Sequence, residues 1–456
     1  MSRLIAISNR VAAPSGGKTA GGLAVGILAA LRQSGGIWFG WGGKTCHGEP
    51  SEPALERHGE VTFATIDINE GDFDGYYNGY CNGSLWPLFH YMLGIFKFER
   101  EHEAAYQRVN QTFARKLRPL LQPDDRIWVH DYHLIPLAAE LRRAGIEQPI
   151  GFFLHVPFPG FDVLRTLPGH RRLLQALTEF DVVGFQTAQD CENFLGGLRS
   201  AGLGGERGTD GRIMALDRRI LVGAFPIGID VEEAEDQAAA AIKSAAVQRL
   251  ARDLGERALV IGVDRLDYSK GLPERFRAYQ ALLERHPASH RHLVFLQIAS
   301  PTRTGVRAYQ DIRHELERSA GHINGQFAEP DWTPIRYINR GISRKMLMGY
   351  FRVAKIGLVT PIRDGMNLVA KEFVAAQDPA DPGVLVLSRL AGAAAELADG
   401  AILVNPFDTV GVADSILKAA EMGLEERREK HAAMMQMLRG NDIHAWRKRF
   451  VDALGA

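Results

Sequence analysis

Short apolar, β-branched runs alternate with longer stretches of helical spacing along almost the whole chain. In the first half the runs cover Leu4–Ser8, Val61–Ile68, Ile127–His130, Gly151–Val156, Asp181–Gln186 and Leu221–Phe225, and each reads as a buried strand. Helical spacing covers Leu23–Leu31, Leu134–Arg143 and the stretch from Thr187. Ala201–Arg219, rich in Gly and polar residues, reads as a hairpin or loose loop. The run Pro226-Ile227-Gly228-Ile229-Asp230 reads as a hinge, and a single Ala-rich helix is predicted over Glu232–Ala258. The alternation then restarts. Strands are predicted at Ala258–Val263, His292–Ile298, Ile335–Ile338, Ala354–Val359, Gly383–Leu387 and Ala401–Val404, and an amphipathic tail from Asp442 presents Ile443, Trp446 and Phe450. Strand–helix alternation of this kind predicts an α/β protein with parallel sheets. The hinge divides it into two halves near residue 231, with a cleft expected between facing strand tips.

The stretch TPIRDGMNLVAKE, 360–372, focuses the chemistry. Thr360, Pro361 and Arg363-Asp364-Gly365 end the preceding strand, and helical spacing resumes at Met366. A helix N-terminus at a strand tip offers unpaired N–H groups to a phosphate. Gly365 allows close backbone approach. Asp364 is placed to accept sugar hydroxyls, and Glu372, two turns in, to hold a ribose diol. A capped helix in an α/β core would show the same spacing. A second constellation, DRLDYSKG at 264–271, brings Arg265 and Lys270 to another strand tip, where Arg suits a bidentate grip and Lys a point-charge contact on a diphosphate. Surface ion pairs with Asp267 and Glu274 are the alternative. In the first half His130, Asp131, His155 and Gln186 all stand at carboxyl ends of predicted strands, where open α/β sheets bind ligands. Arg10 stands at the tip of the first strand and Arg303 at a tip in the second half. With a tyrosine hydroxyl they would make a second phosphate site.

Other patterns are rejected or left open. GGKT occurs at 16–19 and at 42–45, but the P-loop spacing needs a Gly where Ala12 and Trp38 stand. Asp72-Phe73-Asp74 has the D-x-D form that holds a cation in some glycosyltransferases, but it is read as part of a solvated loop. His130 and His133 lack a third ligand nearby. Trp86 beside Pro87 is either core or a sugar platform. No G-x-G-x-x-G follows the first strand, which argues against a nicotinamide dehydrogenase.

Composition narrows the class. The chain has 456 residues, 46% hydrophobic and 24% charged, enough for two or three soluble domains. Lys plus Arg equals Asp plus Glu at 54 each, so no global field favours nucleic acid or an anionic membrane, and anion binding must be local. Cys46, Cys81 and Cys191 are far apart, which predicts neither a disulfide framework nor zinc, and a reducing, cytoplasmic setting. The N-terminus has no signal-peptide pattern, and no apolar run is long enough for a membrane span.

Taken together the motifs are specific. SNR at 8–10, GGLAVGI at 21–27, WFGW at 38–41, LWP at 85–87, HDYHL at 130–134, LHVPFP at 154–159, GFQT at 184–187, PIGID at 226–230, DRLDYSKGLPERF at 264–276 and DGMNLVAKE at 364–372 follow one another in order. With them the chain resembles the retaining glycosyltransferases of family 20, the trehalose-6-phosphate synthases. The resemblance implies the GT-B fold: an acceptor domain over 1–230 with the last helix, 442–456, crossing back to it, and a nucleotide-sugar domain over 231–441. It implies UDP-glucose and glucose 6-phosphate as substrates, no cofactor and no metal. It leaves room for a homodimer or homotetramer.

Carried over by motif, Arg265 and Lys270 bind the donor diphosphate. Gly21, Gly22, Ile342, Leu368, Val369, Ala370, Lys371 and Glu372 complete the donor site. His155 and Asp364 hold the donor glucose. Arg10, Tyr77 and Arg303 grip the acceptor phosphate, Asp131 orients the acceptor, and Trp86 and Val156 select its anomer. Val156 stands where the family often has isoleucine, and Gly160-Phe161-Asp162 departs from its usual pattern. A synthase with glycerol 3-phosphate as acceptor, one using GDP- or ADP-glucose, and a non-catalytic sugar-phosphate sensor are the rivals.

Overall fold

The computed structural model of the chain describes residues 3–11, 22–303 and 307–455. The fold separates into two compact units, Met1–Ile227 with His444–Ala456, and Gly228–Ile443.

The first unit is built on a ten-stranded sheet. Its strands are β1 Leu4–Arg10, β2 Gly36–Cys46, β3 Ala54–His58, β4 Val61–Asn69, β5 Arg126–His130, β6 Ile150–Phe153, β7 Val182–Phe185, β8 Gly204–Arg207, β9 Ile213–Ala215 and β10 Arg218–Ala224. They lie in the order β3-β4-β2-β1-β5-β6-β7-β10-β9-β8. The central ones are parallel, and β3, β9 and β8 pair antiparallel at the two edges. β1 is buried from Leu4 to Ser8, as a strand covered on both faces must be. The second unit has six parallel strands, β11 Ala258–Arg265, β12 Leu293–Ser300, β13 Ile335–Ile338, β14 Ile356–Val359, β15 Val384–Ser388 and β16 Ile402–Val404, in the order β13-β12-β11-β14-β15-β16. Renumbered from its own start this is 3-2-1-4-5-6, the Rossmann order. The central strands of the first sheet, taken in chain order, repeat it.

Three sequence expectations need correction. The polar stretch after β4 is helical rather than a loop: a short turn from Glu70 runs into a wide π-type helix, Asp74–Leu85, and on into Trp86–Phe89. Its glycines explain this. Two of them face the helix Arg100–Leu117: a Cβ at Gly79 would lie 2.5 Å from the His102 ring, one at Gly75 3.0 Å from Ala105. The long helix after the hinge is two helices, Val231–Ala241 and Ala245–Leu254, because Ser244 caps a new start at Ala245, its hydroxyl accepting the Val247 N–H. The helix in the 360–372 stretch begins at Leu368, not Met366, because Asn367 takes the cap position in the left-handed region with φ 84°. β2 and β3 lie in a stretch whose spacing alone did not announce them.

Among the described residues no helix is long and apolar enough to cross a membrane.

Candidate functional site

In the second unit β11 and β14 flank the point where the strand order reverses, so the loops leaving them meet at the carboxyl edge. The Ile362 and Arg363 N–H groups both donate to the Ser269 carbonyl, at 2.9 and 3.3 Å. Gly271, at φ 63°, makes the approach possible, since a Cβ there would lie 2.6 Å from the Thr360 carbonyl oxygen. Lys270 Nζ then reaches Asp364 Oδ2 at 2.5 Å, with the two side chains 11% and 14% exposed. Asn367 donates to the same carboxylate oxygen at 3.0 Å, and its Oδ1 accepts the Ala370 N–H at 3.1 Å. That cap occupies Ala370 and leaves the Leu368 and Val369 N–H groups as the helix's open donors among the described residues. Arg265 ends β11 and is exposed.

A buried arginine underlies this edge. Arg275 Nη1 donates to Asp264 Oδ2 at 2.5 Å and to Gln297 Oε1 at 2.9 Å, and its Nε donates to Thr360 Oγ1 at 3.0 Å, tying the ends of β11, β12 and β14 together. Burial pushes the Asp264 carboxyl up, and the Arg275 charge works against that shift. Glu372 accepts from Arg344 Nε at 3.1 Å, while Arg344 Nη1 holds Glu233 at 2.6 Å. Burial raises the Glu372 carboxyl as well, again opposed by Arg344.

In the first unit the reversal lies between β1 and β5, and the same logic collects residues there. The Arg10 guanidinium lies over the Trp41 ring at 5.3 Å, and that ring sits 6.2 Å from Tyr77. Tyr77 stacks between Phe73 at 5.5 Å and His133 at 6.0 Å. Asp131 holds a backbone conformation rare for a side chain of its kind, φ 77° and ψ 163°, fixed by its N–H bond to the Phe153 carbonyl at 2.8 Å. Strain of this type costs about 1–3 kcal/mol and collects at functional sites. Its reward here is positional, because Asp131 Oδ1 accepts the His155 N–H at 3.3 Å. His155 Nε2 lies 3.1 Å from His130 Nδ1, and burial lowers the His155 imidazole to about 3.

The Glycosyltransferase family 20 profile matches residues 12–456. The chain belongs to glycosyltransferase family 20. It is 49% identical over 460 residues to the trehalose-6-phosphate synthase of Klebsiella pneumoniae, covering 100% of this chain and 95% of that protein. The structure of the UDP-forming α,α-trehalose-phosphate synthase of Burkholderia xenovorans in complex with glucose 6-phosphate superposes with a TM-score of 0.95 at 49% identity, covering 100% of both chains. An E. coli structure bound with UDP-2-fluoro glucose gives a TM-score of 0.95 at 47% identity, covering 99% of each chain. The family's α/β GT-B fold is the fold of this chain.

Against that family frame the remaining sequence-predicted residues fall into distinct groups. Lys371 is fully buried, its Nζ 2.5 Å from Glu396, so only its backbone can reach a ligand. Arg303 turns inward onto Asp267, at 3.1 Å, and onto the Tyr309 hydroxyl, rather than standing open at a strand tip. Trp86 is 4% exposed and stacks on His90 and Tyr132, and Val156 is 6% exposed, so both present only an edge. Gln186 accepts the Ile227 N–H at 3.0 Å and serves the fold. Asp72 pairs with Arg108, and Asp74 accepts from Asn78. Ile342 is half-buried ahead of the helix Arg344–Val353, and Gly22 opens the helix Gly22–Ser34. Gly21 and the GGKT at 16–19 lie outside the described residues. Trp41, Arg275, Arg344 and Asn367 were not singled out from sequence. The D-G-M-N run held a signal for the last, since Asn before an apolar helical stretch is a cap pattern. A cavity of about 750 Å³ lined by Tyr80, Arg142 and Arg172 contains none of the predicted site residues.

Proposed function

We propose that the chain transfers glucose from UDP-glucose to glucose 6-phosphate, releasing UDP and α,α-trehalose 6-phosphate with retention at the donor carbon. The family match over residues 12–456 carries this reading, and the Lys270–Asp364 constellation at the strand-order reversal supports it. Arg265 and Lys270 grip the diphosphate, with the Leu368 and Val369 N–H groups behind it. These groups stabilise the charge that builds on the leaving phosphate as the glycosidic bond breaks. Asp364, its charge already met by Lys270 and one oxygen also bonded by Asn367, orients donor hydroxyls and does not attack. Glu372, steadied by Arg344 through Oε1, offers Oε2 to the ribose. Arg10 and Tyr77 hold the acceptor phosphate.

The acceptor hydroxyl attacks from the face the diphosphate leaves, and the departing phosphate oxygen takes its proton. Donor, acceptor and leaving group then balance without a covalent glycosyl-enzyme intermediate. Cys46, Cys81 and Cys191 are free thiols, which fits a reducing, cytoplasmic setting. The test is a screen of UDP-, GDP- and ADP-glucose against glucose 6-phosphate and glycerol 3-phosphate, with product analysis by NMR. Trehalose 6-phosphate formed from UDP-glucose supports the reading. Absence of nucleotide release, or turnover confined to glycerol 3-phosphate, overturns it.

A further inference from the structure

At the floor of the first unit's carboxyl edge lies a cluster of three buried nitrogens with no hydrogen-bond partner among the described residues: His130 Nε2, Trp128 Nε1 and Trp446 Nε1. The rings touch. Trp128 lies 4.5 Å from His130 and 5.0 Å from Trp446, and Trp446 lies 6.4 Å from His130, centroid to centroid. His130 and both tryptophans are 0% exposed. Indole nitrogens can only donate. A proton on His130 Nε2 would therefore put a third buried N–H among donors with no acceptor, the rarer and costlier kind of unsatisfied group. A bare Nε2 is instead a buried acceptor left open, the less costly of the two states. The His130 proton then belongs on Nδ1.

That choice propagates. His130 Nδ1 lies 3.1 Å from His155 Nε2, and in a neutral pair one nitrogen donates and the other accepts. With the proton on His130 Nδ1, His155 Nε2 accepts and His155 carries its own proton on Nδ1. His155 is half-buried, and its Nδ1 is engaged by no described residue. Asp131 fixes the same residue at its backbone N–H. We propose that His130 is a positioning residue that locks His155 in the Nδ1–H tautomer, so that His155 meets the donor sugar as a neutral hydrogen-bond donor. Trp446, on the last helix, Ile443–Gly455, and Trp128, on β5, line His130 and bring no acceptor to the cluster, since an indole nitrogen only donates. Burial lowers both imidazoles, which keeps the pair uncharged at neutral pH. The catalytic consequence rests on the reading that His155 touches the donor glucose. The tautomer itself does not.

The test separates the two. In wild-type protein labelled with ¹⁵N-histidine, two-bond ¹H–¹⁵N spectra report the tautomer of each ring without any substrate. The expected result is Nδ1–H for both His130 and His155, and Nε2–H at either position overturns the proposal. His130→Asn keeps a donor nitrogen at the Nδ1 position and is expected to hold kcat within about threefold of wild type. His130→Leu is expected to lower kcat at least tenfold with little change in KM for glucose 6-phosphate, and to shift the His155 signals toward Nε2–H. Equal losses in His130→Asn and His130→Leu, with the His155 signals unmoved, would mark His130 as structural only and overturn the proposal. Absence of glucosyl transfer in wild-type protein whose two histidines are both Nδ1–H would instead count against the proposed function alone.

Discussion

At the residue scale the proposed donor site turns on a single carboxylate. Asp364 is held by Lys270 and Asn367 at once, so its charge is compensated before any substrate arrives. Lys270→Met removes this compensation and, on the proposed reading, a phosphate contact. We expect kcat to fall by about 10²–10³-fold, the range for losing one preorganised charge-stabilising group, read by UDP release. A smaller loss confined to KM would mean that Lys270 only binds. Arg344→Ala frees Glu372 and Glu233 together, leaving two carboxylates without the guanidinium they share between them. KM for UDP-glucose should rise several-fold, while KM for glucose 6-phosphate stays put, as steady-state titration of each substrate would show. The sequence displayed the charged residues at strand tips, because tips interrupt apolar runs with polar letters. It did not display which of them turn inward. Arg303 and Arg265 read alike in the chain, and only the packing of Tyr309 and Asp267 separates the buried one from the exposed one.

The element that organises the proposed acceptor side is the helical run from Glu70 to Phe89. Its sequence hid it, because glycines and polar residues at 71–83 look like a loop to any propensity argument. Tertiary packing overrides that weakness: Gly75 and Gly79 bring this helix against Arg100–Leu117, and the π-type register aims Tyr77 at Trp41 and His133. Strands β11, β12, β14 and β15 were legible because buried parallel strands are continuous apolar runs, whereas β2 mixes Gly, Trp and Lys and was not. Gly79→Ala should therefore act on both stability and binding. Its Cβ meets the His102 ring at 2.5 Å, and overpacking of this kind costs about 1–3 kcal/mol. The expected outcome is a lowered Tm together with a raised KM for glucose 6-phosphate. His102→Ala in the same chain should restore part of both, since it removes the obstructing ring.

At the scale of the whole molecule, the order of the chain and the order of its packing part company at the end. The tail His444–Ala456 belongs with the first unit, though the whole of the second unit intervenes in sequence. Trp446 and Phe450 are 0% exposed. Phe450 packs on Trp128 at 4.8 Å and on Phe225 at 5.1 Å, over ground that Gly151 and Gly184 leave open, where a Cβ would lie 2.8 and 2.7 Å from its ring. The amphipathic spacing of Ile443, Trp446 and Phe450 announced a buried face; the two glycines that receive it lie on β6 and β7, where nothing local in sequence marks them as a socket. Phe450→Ala should cost about 3–5 kcal/mol, the usual range for emptying a buried aromatic site. Because the ring seats against the strand that bears His130, the loss should be felt at the site as well as in Tm. Acid adds an independent check on the same region. The His155 imidazole titrates at about 3 in the folded chain against about 6.5 unfolded, so the unfolded state binds more protons between those values. Stability from this pair is full above pH 6.5 and declines as pH falls toward 3. His155→Asn should flatten that decline, and Phe450→Ala, which lets water toward the pair and raises its folded pKa, should flatten it partly. Thermal unfolding of the three proteins from pH 7 to pH 4 measures both effects, and parallel curves for all three would show that the pair is not buried as described.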